Sequence, residues 1–127
     1  MYRKIQTFKK KIMKRDSFES SVKATEVARL LGSKSMTTSS YITIDDVLVR
    51  VSNHYPVFYN LNEYNDLDSL KGIVFVFVGE NADKYCSQLE DDYDYRNMYV
   101  ETVCLDQDDN DFDYLMSTIK RKINKLK

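Results

Sequence analysis

The sequence predicts an α/β chain of the α+β kind: an N-terminal helical segment, a β-hairpin, then strand-helix-strand-helix in one small mixed sheet. Three observations predict it. The run Ile73-Val74-Phe75-Val76-Phe77-Val78 contains no polar residue, as a strand buried on both faces requires. Tyr41–Ile44 and Val47–Val51 flank Asp45-Asp46, two alternating runs around a two-residue turn. Phe112, Leu115, Met116, Ile119, Ile123 and Leu126 recur at helical spacing near the end of the chain. The 127 residues suit one domain, long enough to bury about two-thirds of the unfolded surface.

Net charge is -1, but it is unevenly distributed. Residues 1–34 hold ten Lys/Arg against three acidic residues, a balance of +7. Residues 35–119 hold four basic and seventeen acidic residues, a balance of -13, and residues 120–127 return +5. The chain therefore divides into a basic helical N-terminal segment, 1–34, and an acidic α/β body, 35–127. One end could meet phosphate; much of the body would repel it.

In order, residues 2–14 place Ile5, Phe8 and Ile12 on one side of a helix, with Tyr2 and Met13 beside them. Arg3, Lys4, Lys10, Lys11, Lys14 and Arg15 cover the other side. This basic amphipathic face has three readings: a solvated face of a docked helix, a contact with nucleic acid or a nucleic-acid-binding partner, or a contact with an anionic membrane. Asp16-Ser17-Phe18-Glu19 fits a helix cap, and a second helix is expected over 17–31. Gly32 can end it in the left-handed conformation. Residues 33–40 read as a Ser/Thr linker.

In the hairpin, Ile42 and Ile44 share a face, as do Val47, Val49 and Val51; Leu48, Arg50 and Ser52 face the other way. Arg50 is expected to pair with an acidic neighbour. Asn53 and His54 are expected to help pin the strand to its turn. Val57-Phe58-Tyr59 offers a further short strand, and 60–69 an acidic loop. After Ile73–Val78, the residues Ala82, Tyr85, Cys86, Leu89 and Tyr93 make a helical stripe, with Asp91, Asp92 and Asp94 at its end. Carboxylates there oppose the helix dipole, which favours an interaction role. Met98–Leu105 is the next strand, expected parallel to Ile73–Val78. Asp106, Asp108, Asp109, Asp111 and Asp113 follow, part of them capping the last helix. They do not form a calcium loop of the EF-hand type, since its central Gly and closing Glu are missing. Lys120, Arg121, Lys122, Lys125 and Lys127 suit the dipole at the other end of that helix.

Two cysteines, Cys86 and Cys104, are too few for a disulfide framework or a metal site, and both are expected as buried free thiols. No apolar stretch approaches the ~18 residues of a membrane span, and the basic start lacks the apolar core of a secretory signal. An intracellular setting is expected. Ten tyrosines suit an interface and equally suit strands and half-buried positions. His54 is the one histidine, no Ser or Cys has the context of a nucleophile, and no glycine-rich phosphate loop occurs. Neither catalysis nor a metal or organic cofactor is expected.

The run from Tyr41 to His54, ending Arg50-Val51-Ser52-Asn53-His54, resembles a hairpin of small phage-encoded anti-CRISPR proteins that inhibit the type II RNA-guided nuclease. In one broad-spectrum inhibitor of that group a basic and flexible N-terminal arm precedes such a hairpin, and an acidic loop and an apolar strand follow. Here these are 60–69 and Ile73–Val78. The resemblance implies an inhibitor of a type II CRISPR effector, working by occlusion or conformational locking in the cytoplasm of an infected bacterial host. Its partner would be the nuclease, with guide RNA or DNA nearby. The acidic groups Asp91, Asp92, Asp94, Asp106, Asp108, Asp109 and Asp111 would meet the nuclease's basic surfaces. The basic group Arg3, Lys4, Lys10, Lys11, Lys14 and Arg15 would meet the partner or its nucleic acid. The alternative is a small nucleic-acid-binding or regulatory protein of a phage or mobile element, using that same basic group.

Overall fold

The computed structural model describes residues 18–33, 39–55, 70–92 and 100–126. It contains α1 (Phe18–Leu30), β1 (Ser39–Ile44), β2 (Val47–Ser52), β3 (Gly72–Gly79), α2 (Ala82–Asp92), β4 (Val100–Asp106) and α3 (Phe112–Leu126). The sheet order is β1-β2-β3-β4. The first pair is antiparallel and the next two are parallel, so the sheet is mixed.

All eight residues of β3 are buried. Successive side chains point to opposite faces, and each face has its own cover. Val74, Val76 and Val78 join Val47, Val49, Val51, Val103 and Leu105 beneath α1 and α3. Phe75 and Phe77 join Leu48 and Ile73 beneath α2, which contributes Ala82, Tyr85, Cys86 and Leu89. Apolar cover on both sides is why this strand carries no polar residue. Each fully buried Val or Phe contributes roughly 1.5–3 kcal/mol relative to exposure. Tyr55 and Leu70, near the two ends of the β2–β3 connection, both pack on the α2 face. There Tyr55, Phe77 and Tyr85 form an aromatic cluster with ring centroids 5.7–6.2 Å apart.

The hairpin turns at Asp45 and Asp46, with φ of 52° and 65°. Positive φ at both central residues is the twist that a two-residue hairpin needs. The register Ile44↔Val47 and Ile42↔Val49 follows, and it puts Ile42 and Ile44 against the α1/α3 core.

Helix α1, read from sequence with the basic segment 1–34, packs within the body. Ala24, Val27 and Ala28 are buried in the same core as the sheet valines. It ends as expected at Gly32, where φ is 94°. Gly32 N donates to Arg29 O at 2.9 Å and Ser33 N to Ala28 O at 3.0 Å, the paired bonds of a Schellman cap. In α3, Leu115, Ile119 and Ile123 are the buried stripe. Near its C-terminus Lys122 and Lys125 lie 3.1 and 3.6 Å from Glu101 of β4.

Several expectations fall outside the described residues. These are the basic N-terminal helix over 2–14 with Arg3, Lys4, Lys10, Lys11, Lys14 and Arg15, the Asp16-Ser17 cap, residues 34–38 of the linker, Val57–Tyr59, the 60–69 loop, Tyr93, Asp94, Met98, Tyr99 and Lys127. One expectation is corrected. Cys86 is buried, but Cys104 is exposed. Cys104 alternates away from the core residues Val103 and Leu105, on a strand that forms the sheet's outer edge. An edge strand has cover from only one lateral neighbour.

Candidate functional site

Helices α2 and α3 both start at the carboxyl edge of the parallel strands, since each follows directly on a strand end. Helix α1 also brings its first turns there, against Asn53 and Gly79. In open α/β sheets this edge is the usual place for a site. Here it is built from polar contacts between residues far apart in sequence.

Asn53, just past β2, ties the strand to α1. Its Nδ2 donates to Ser20 Oγ at 2.8 Å and to Ser21 Oγ at 3.1 Å. Its Oδ1 lies 3.2 Å from His54 Nδ1. Ser52 Oγ donates to His54 O at 2.8 Å and is 3.1 Å from His54 N, which closes the strand end into a small turn. Asn53 thus joins two elements, and His54 sits in a local turn. Arg50, half-buried, stands in register with Tyr41 of β1 and Phe75 of β3. At the end of β3, Gly79 has φ 118°, and a Cβ there would lie 2.6 Å from Ser20 Cβ. The close approach of α1 to β3 therefore requires glycine.

Lys23 is the second tie. It is 5% exposed, in the buried stripe Ser20-Lys23-Ala24-Val27-Ala28 of α1. Its Nζ donates to Gln107 O at 2.7 Å, to Asp109 O, and to Asn110 Oδ1 at 3.2 Å. It also lies 5.8 Å from the centroid of the Phe112 ring. One ammonium thus grips the β4–α3 turn from beneath. The turn adds its own bonds: Asp109 N donates to Asp106 O, and Asp111 N to Asp109 Oδ1 at 3.0 Å. Asp111 Oδ1 accepts from Tyr114 N at 3.0 Å and so caps α3.

With its backbone held from below, the turn presents Asp106, Asp108, Asp109, Asp111 and Asp113 outward, all exposed. Asp83 in the first turn of α2 is exposed beside them and accepts a hydrogen bond from Cys104 Sγ at 3.0 Å. Partial desolvation, then the charges of Asp83, Asp109 and Asp108, push the Asp106 carboxyl above the ordinary carboxylate range. Asp83 joins this acidic edge through its bond to Cys104, two residues before Asp106 on β4.

The acidic residues singled out from sequence do not all meet there. Asp106, Asp108, Asp109 and Asp111 do. Asp91 is exposed on the last turn of α2, and Asp92 ends that helix. Because α2 runs back from the carboxyl end of β3 to the amino end of β4, both lie at the opposite edge of the sheet. Sequence reading missed Asp83 and Lys23. The signal for Lys23 was present: a lysine within a buried helical stripe needs acceptors supplied from elsewhere.

Among the described residues, no three His, Cys, Asp or Glu side chains gather in a way that could hold a metal ion. No described helix is long and apolar enough to cross a membrane. No protein-family model, characterised protein or solved structure was found to match this chain.

Proposed function

We propose that the protein is a non-catalytic interaction protein whose acidic carboxyl edge docks on a basic, nucleic-acid-binding surface of a partner. From the resemblance of its hairpin, that partner is a type II RNA-guided nuclease. The protein inhibits DNA cleavage by occluding a basic channel or by holding a mobile nuclease domain in place. The observation that carries this reading is the pre-organised acidic turn. Asp106, Asp108, Asp109, Asp111 and Asp113 are exposed on a backbone fixed by the buried Lys23 ammonium. A fixed array loses little conformational freedom on binding. Clustered carboxylates also steer association toward a positive surface and compete there with phosphate.

The test is co-elution of the full chain with type II effectors, guide-loaded and empty, at low and high salt. A complex that weakens with salt, together with loss of DNA cleavage, is the expected result. Failure to bind any such effector in either state would remove the nuclease from the proposal. Binding unaffected by salt would remove the acidic edge.

A further inference from the structure

The two cysteines of the chain face each other across the α2–β4 interface. On α2, Asp83, Cys86 and Glu90 lie at three- and four-residue spacing, one stripe of the helix. On β4, Thr102, Cys104 and Asp106 share a face. Cys104 Sγ donates to Asp83 Oδ1 at 3.0 Å, and Thr102 Oγ1 to Glu90 Oε2 at 3.0 Å. These two contacts, from Asp83 to Cys104 and from Glu90 to Thr102, bracket Cys86 on the facing stripe of α2. Cys86 is 8% exposed and belongs to the apolar core beneath α2, whereas Cys104 is open to solvent. One thiol is accessible and its neighbour is shielded. The sequence holds two cysteines, so an internal disulfide has a single pairing.

We infer that Cys104 and Cys86 are an oxidisable pair that reacts in order with low-molecular-weight disulfides of the glutathione type. Cys104 loses its proton to solvent, and the thiolate attacks one sulfur of the small disulfide. That S–S bond breaks, and one small thiolate leaves with the bonding pair and takes up a proton. Cys86 then loses its proton and attacks Cys104 Sγ. The protein disulfide forms as the second small thiolate leaves and is protonated. Two protein thiols are oxidised by two electrons, and one small disulfide is reduced to two thiols.

The order follows from position. The hydrogen bond with Cys104, then burial, hold the Cys86 thiol far above the ordinary thiol range, so it does not react first. Conversion of Cys104 to a mixed disulfide removes both the hydrogen bond to its thiol and the charge of its thiolate. Cys86 then attacks across the α2–β4 interface to close the bond. Closure also takes Cys104 away from Asp83.

The experiment is incubation of the folded full chain with oxidised glutathione, followed by intact mass, peptide mapping and a non-reducing gel. Wild type is expected to become a monomer two hydrogens lighter, with a linked Cys86–Cys104 peptide. Cys86→Ser is expected to stop at a stable glutathione adduct on Cys104, and Cys104→Ser to stay unreacted while folded by circular dichroism. In wild type alone, brief alkylation should label Cys104 at least about tenfold faster than Cys86. A stable adduct on wild type, a disulfide-linked dimer, no reaction, or equal labelling of the two thiols would each overturn the inference.

Discussion

Replacing Lys23 with methionine should cost the fold a large part of its stability, through a turn more than eighty residues away. The substitution keeps most of the volume and removes the ammonium. Three acceptors lose their donor: Gln107 O, Asp109 O and Asn110 Oδ1. A hydrogen bond from a charged donor is worth about 1.5–3 kcal/mol, and the contact with the Phe112 ring about 0.5–1 kcal/mol. Against this, methionine has no charge to desolvate, a return of several kcal/mol. The acceptors left behind are less buried than the lysine and partly recover by hydration. The net expectation is a loss of about 2–4 kcal/mol, a considerable fraction of the roughly 5–15 kcal/mol that holds a domain together. In urea unfolding, with a slope of about 1–3 kcal/mol per molar, the midpoint should fall by roughly 1–2 M. Hydrogen exchange should quicken selectively at the amides of Asp109, Asp111 and Tyr114, whose bonds define the turn. Lys120→Met, on the exposed side of α3, is the control and should stay within about 0.5 kcal/mol of wild type. Lys23→Arg should recover little, since a planar fork fits poorly around three acceptors arranged for one ammonium. A Lys23→Met loss no larger than the control's would refute the clamp.

Other positions give sharp expectations. Asp46→Gly should stabilise the fold by about 0.5–1 kcal/mol in urea unfolding, because the left-handed φ of 65° suits glycine better than aspartate. Gly79→Ala should destabilise by roughly 2–4 kcal/mol, since it combines φ 118° with a Cβ 2.6 Å from Ser20 Cβ; Ser20→Gly in the same chain should return part of the loss. The Asp106 carboxyl is raised in the folded state by desolvation and by Asp83, Asp109 and Asp108, so the native state binds the proton more tightly than the unfolded chain. Its contribution to stability is therefore greatest at low pH and diminishes as pH rises through and above the ordinary carboxylate range. Asp106→Asn should flatten that decline in a series of urea midpoints against pH, and an unchanged slope would count against the shift. Glu101→Gln should cost about 0.5–1 kcal/mol and make the stability less sensitive to salt, since it breaks the pair with half-buried Lys122 and the exposed one with Lys125.

Where local pattern alone decides structure, the sequence was readable. The unbroken apolar run of β3 announced cover on both faces, and Val47, Val49 and Val51 announced the face of β2 that meets α1 and α3, though Leu48 on the other face is buried beneath α2. Gly32 marked the end of α1, and the Asp cluster before Phe112 contained the cap of α3. The carboxyl edge was legible only in part, because its ties are long-range. Lys23 meets partners 84–87 positions away, and Asn53 meets serines 32 and 33 positions away. No local periodicity encodes such pairs. The same limit explains the acidic residues. Asp91 and Asp106 lie fifteen positions apart in one acidic stretch, yet the direction of α2 sends them to opposite edges of the sheet. Cys104 was expected buried with its strand; its side of β4, away from Val103 and Leu105, lies open because β4 is an edge strand, and strand order is not a local signal.

Under the proposed function, the clamped acidic edge makes the contact with a basic nuclease surface. That contact is tested most directly by titrating DNA cleavage by a guide-loaded type II nuclease with wild type and with Asp108→Asn/Asp113→Asn. Both carboxylates are exposed, and neither Asp109, which braces the turn, nor Asp111, which caps α3, is altered. Wild type should suppress cleavage, and the double variant, folded to the same extent, should need roughly tenfold more protein, the effect of about 1.4 kcal/mol in affinity. Equal inhibition by the two proteins, or no inhibition by wild type, would contradict it.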